Sequence, residues 1–64
     1  MTPADLQHFL DERHMTRRAF GLALGISQDR LRRFLSGVQP IPRHISLACA
    51  ALAMGLPEWP ARAS

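Results

Sequence analysis

The 64-residue chain predicts an all-helical domain of four short helices. Three observations carry that expectation. Apolar side chains recur at spacings of three and four, and no stretch alternates with a period of two. Each apolar stretch is opened by Thr, Ser or Pro, and the last three are closed by Gly25, Gly37 and Gly55. The prolines stand at segment starts and in connections, where a fixed φ and a missing N–H do least harm.

The first helix is expected from Pro3 to about Arg13. Thr2 is its N-cap, Pro3 suits the first helical position, and Asp5 is placed to reach back as a capping-box variant. Leu6, Phe9 and Leu10 share its apolar face, while Asp11, Glu12 and Arg13 face water. The second helix opens behind Thr16 and runs to Leu24, with Phe20, Ala23 and Leu24 on its apolar side and Gly25 at its end. The third begins after Ser27 and closes before Gly37. Its stripe is Leu31, Phe34 and Leu35, and Gln28, Asp29, Arg30, Arg32 and Arg33 point away from that stripe. VQPIP is a rigid connection. The fourth helix runs from about Pro42 to Gly55, with Ile45, Ala48 and Leu52 on one side and Leu47, Ala51 and Met54 adjoining.

Size and composition narrow the class. A chain this short forms one domain and buries only about 60% of the surface its unfolded form exposes, so its core is marginal without help. The single cysteine, Cys49, excludes an intrachain disulfide and has no metal-ligand spacing around it; it reads as a buried thiol in a reducing cytoplasm. His8, His14 and His44 lack metal-ligand pairing, no nucleophile, base and orienting group come together, and no cofactor or small-molecule ligand is implied. The apolar run from Ile45 to Leu56 falls short of the roughly 20 residues a membrane span needs. All eight basic residues are arginines, and a net charge of +3 with a pI near 11.2 favours a polyanionic partner. Arginine suits that role through its planar, two-pronged donor geometry.

Residues 16–37, TRRAFGLALGISQDRLRRFLSG, carry the most information. They read as two helices joined by a tight glycine turn, the second bearing three arginines, which is how a helix-turn-helix reader of DNA is built. Thr16, Arg17, Phe20, Gly21, Leu24, Gly25, Ile26, Ser27, Gln28, Leu31, Phe34 and Gly37 fall on the pattern of the Cro/CI-type (XRE-like) phage-repressor helix-turn-helix family, which the chain resembles. The resemblance extends more loosely over PIPRHISLACAALAMGL and so covers roughly residues 2–56. Three departures stand out. The family often has alanine at the position of Gly21, Leu10 and Leu35 replace a basic residue and its acidic partner, and LPEWPARAS leaves room for no more than a vestigial fifth turn.

The resemblance implies a compact four-helix, repressor-type fold in which the third helix enters the major groove. Its base-edge positions here are Gln28, Asp29, Arg32 and Arg33. Gln28 suits adenine and the arginines suit guanine. Asp29 has two open roles, accepting from a cytosine amino group or bracing Arg32 and Arg33 through ion pairs. Phosphate contacts are expected from Thr16 and Arg17 at the second helix, Arg30 on the flank, and Arg43 and His44 at the fourth helix. Arg13, Arg18 and Arg62 read as solvated charges.

In the tail from residue 56, the lone Trp59 either joins Met54 and Leu56 in a dimer seam, the preferred reading, or caps the core of its own chain. The expectation is a cytoplasmic, homodimeric regulator that binds a palindromic double-stranded operator. Such a protein would act as a repressor, plausibly of its own phage, mobile-element, antitoxin or anti-CRISPR operon. The rival is a protein-binding module, an antitoxin or inhibitor reusing the same fold; an enzyme is a distant third.

Overall fold

Each helix begins where the sequence supplies a start signal. The computed structural model describes residues 1–56, and these form α1 (Pro3–Glu12), α2 (Arg17–Leu24), α3 (Gln28–Ser36) and α4 (Arg43–Met54). Ahead of α1 the capping box closes in both directions: the Thr2 hydroxyl accepts from the Asp5 N–H at 3.1 Å, and the Asp5 carboxylate accepts from the Thr2 N–H at 2.9 Å. The Thr2 backbone N–H, then its hydroxyl, holds the exposed Asp5 carboxyl below its ordinary value. Thr16 and Ser27 cap α2 and α3 from one side only, each hydroxyl accepting from the Ala19 or Arg30 N–H. Pro42 precedes α4 and offers no side-chain acceptor.

The ends are also decided locally. Gly25, Gly37 and Gly55 all take left-handed φ, which is cheap only without a Cβ. At α1 the same turn is made by His14, at φ 51°. Met15 N–H reaches the Leu10 carbonyl at 2.9 Å and His14 N–H the Asp11 carbonyl at 3.2 Å, the bond pair of a Schellman ending with histidine where glycine is usual. A left-handed residue with a side chain carries about 1–2 kcal/mol of strain. His14→Gly is therefore expected to stabilise the domain by about 0.5–1 kcal/mol after the extra freedom of glycine in the unfolded chain is subtracted. Urea denaturation would measure it, and an unchanged or lowered midpoint would show that the imidazole supports the turn in some other way.

The core is contributed by every helix: Leu6 and Leu10 of α1, Phe20 of α2, Leu31 and Phe34 of α3, Ile45 and Cys49 of α4. Helix α3 packs on both α1 and α2. Phe9 meets Phe20 edge-on, with ring centroids 6.0 Å apart and planes at 71°. Leu35, partly buried, packs against the cluster that holds Leu10. Burial pushes the Cys49 thiol up from its ordinary value, as for a residue used for packing.

Two expectations about faces need correction. Ala23 is exposed, and it is Gly21 that α2 turns inward. Arg13 is not simply solvated: its guanidinium lies 5.4 Å from the Phe9 ring centroid and donates to the Leu52 carbonyl at 3.0 Å, tying the end of α1 to α4. Among the described residues no helix is long and apolar enough to cross a membrane.

Candidate functional site

The α2–α3 unit is rigid for reasons visible in its bonds. Gly25 reverses the chain, and the N–H groups of Gly25 and Ile26 both reach back to the Gly21 carbonyl, the second at 3.0 Å. Ile26 packs against the core, and Ser27 starts α3 at once. Because Leu31 and Phe34 are fully buried, the helical period turns Gln28, Asp29, Arg32 and Arg33 outward.

These four are not independent side chains. Asp29 sits in the first turn of α3, where a negative charge suits the helix dipole. Its Oδ1 accepts from Arg32 Nη2 and its Oδ2 from Arg33 Nη2, each at 2.6 Å. The three side chains remain half or more exposed, so solvent screens the pairs and each contributes only a few tenths of a kcal/mol to stability. Their effect is orientation. Of the two roles open to Asp29, the free protein displays the brace.

Gln28 is also placed by a neighbour. Its Nε2 donates to the Arg17 carbonyl at 3.0 Å, which folds the side chain back over α2. The space it uses exists because residue 21 has no Cβ: one built there would collide with Gln28 Nε2 and stand 2.9 Å from the Ile26 carbonyl oxygen. Gln28 could swing aside, but the Ile26 carbonyl belongs to the turn backbone. Gly21→Ala should accordingly cost about 1–3 kcal/mol of overpacking against about 1 kcal/mol returned by helix propensity. The expected result is a net loss near 1 kcal/mol with Gln28 released from Arg17. A denaturation midpoint that rises instead would mean that the turn yields freely.

The expected phosphate contacts are scattered more widely. Thr16 is occupied as the N-cap of α2, and Arg17 follows it, exposed, at the first position of the helix. Arg43 stands at the same position of α4, whose opening amides have no side-chain cap. His44 borders an open, largely apolar cleft of about 440 Å³, together with Ala23, Leu24, Ala48 and Leu52. Arg30 departs from expectation: it is half-buried, with its guanidinium 5.5 Å from the Phe34 ring centroid, so part of its surface is spent on the core aromatic. Sequence reasoning missed the contacts of Arg13 and the inward fold of Gln28. Only the absence of a side chain at Gly21 hinted at the close approach that Gln28 uses.

Met54 and Leu56 are exposed, at 74% and 54%, and Leu22 and Leu47 add two further exposed apolar side chains. The expectation for Trp59 lies outside the described residues. Among those residues no three His, Cys, Asp or Glu side chains converge as a metal site. The geometry defines a small all-helical protein with an arginine-rich outer helix. No protein-family model matches the chain, and no curated protein or solved structure matches it either.

Proposed function

We propose that the protein is a sequence-specific binder of double-stranded DNA that acts, as a homodimer, as a small transcriptional repressor. The observation that supports this most is the outer face of α3, where a carboxylate holds two guanidinium forks outward from a helix anchored by Leu31 and Phe34. A helix so presented suits the major groove, where guanine O6 and N7 accept such forks. The neighbouring amides of α2, with Arg17, suit a phosphate. Arg43 and the uncapped start of α4 would supply a second backbone contact. A unit this small covers one half-site, so useful specificity calls for two copies with their recognition helices about 34 Å apart on one face of the duplex. Occlusion of a promoter then needs no further domain.

Selection of bound duplexes from a random pool tests the reading. A palindrome with half-sites one helical turn apart is the expected product, and a pool that stays random after several rounds would refute it. A protein-binding module is the second reading, favoured by the exposed Leu22, Leu47, Met54 and Leu56. It predicts the random pool together with saturable binding to a protein.

A further inference from the structure

Helix α3 carries Arg30, Arg32 and Arg33 against one acid, Asp29, and the structure spends that acid on two of the three. For holding polyanion alone, the carboxylate in the first turn is a disadvantage beyond its small benefit to the helix dipole, since the acid repels phosphates and removes one positive charge from the face. The geometry offers a reason for it. Both carboxylate oxygens are engaged at 2.6 Å, which draws the Arg32 and Arg33 ends to one point and limits the rotamers each can sample. Each guanidinium has five N–H donors and each carboxylate oxygen a further lone pair, so the cluster still presents donors on either side of an acceptor. Beside it, Gln28, Asp29 and Arg32 line an open cleft of about 240 Å³.

We propose that Asp29 is the specificity-determining residue of this face: it gathers Arg32 and Arg33 into one fork and cancels one of their charges, so that α3 is retained by a G·C pair rather than by phosphates alone. The proposal rests on the reading that α3 enters the major groove. Guanine offers two acceptors to a guanidinium, and its partner cytosine offers an amino group to the carboxylate. Thymine would place an acceptor oxygen where cytosine has that amino group, with a methyl group beside it, leaving the carboxylate opposed. The brace and the base contact are then one device: the acid that orients the arginines also rejects the wrong base pair.

The test compares the wild type, Asp29→Asn and Asp29→Glu on three duplexes across a salt series: the selected site, the same site with its G·C pairs changed singly to A·T, and a random sequence. Thermal melting confirms that each variant is folded. Asp29→Asn should bind the random duplex about tenfold more tightly, with a salt slope steeper by about one unit per bound protomer. Its preference for the selected site over random DNA should fall tenfold or more, and the penalty at one G·C position should disappear. Asp29→Glu, which keeps the charge, should keep the wild-type slope. Loss of the charge steepens the slope whatever else Asp29 does, so preference decides: Asp29→Asn that keeps the wild-type preference and the full G·C penalty would overturn the proposal while leaving the DNA reading intact. A wild-type protein that prefers no duplex would overturn the DNA reading, and this proposal with it.

Discussion

Leu31→Asp should leave the chain unfolded at neutral pH. Leu31 is wholly inaccessible to solvent and lies in one cluster with Leu6, Phe20 and Phe34. No polar or charged residue is buried among the described ones, so a carboxylate there would find no partner waiting for it. Stranding an ionised group without a partner costs several kcal/mol, and a core of this size supplies about 3–5 kcal/mol in all. Loss of the far-ultraviolet helical signal and collapse of amide dispersion would register the change. Leu31→Met, which keeps the volume, should fold with a loss below about 1.5 kcal/mol. A Leu31→Asp variant that melts cooperatively with wild-type helicity would mean that α3 is not the keystone its burial indicates.

The second large effect falls on binding and depends on the proposed function. Arg33→Ala should cost about 1–3 kcal/mol on the selected duplex and relax preference at one base pair per half-site, because it removes a directed pair of bonds and frees one oxygen of Asp29. Arg17→Ala should behave differently. Standing at the start of α2 with no base within its expected reach, it should weaken specific and random DNA alike and reduce the salt slope by about one unit. Equal losses on all sequences for Arg33→Ala would reassign it to a phosphate, and an unchanged slope for Arg17→Ala would make it a solvated charge.

Helix boundaries were legible to within one residue, α1 ending at Glu12 and not Arg13 and α4 beginning at Arg43 and not Pro42, because their causes are local. Thr2, Thr16 and Ser27 each satisfy an amide three residues ahead, and Gly25 and Gly37 each relieve a left-handed turn at the position where the helix stops. His14 is the exception. Its identity announces a left-handed residue far less strongly than glycine would, and the turn is closed by the Met15 and His14 N–H groups donating to the Leu10 and Asp11 carbonyls. The bracing of Arg32 and Arg33 by Asp29 was one of the two roles the sequence left open for that residue, since the three lie three and four residues apart on the same helix.

Gln28 and Arg13 changed roles through contacts between segments far apart along the chain, whereas Arg30 did so within its own helix. Gln28 bonds the Arg17 carbonyl only because α2 and α3 approach closely over a residue without a Cβ, and Arg13 finds the Leu52 carbonyl 39 residues away. Helical period placed Arg30 on the outer face, yet its long apolar stem and flat cation lie more favourably along Phe34 than in water. The amino-acid order alone was enough for the four helices, their ends, the apolar positions of the core and the charge of the outer helix, because capping, φ preference and periodicity act within a few residues. Whether Gln28 and Arg13 are free to meet a partner was decided by packing, because their bonds are to carbonyls that only the fold brings within about 3 Å, on helices distant in sequence.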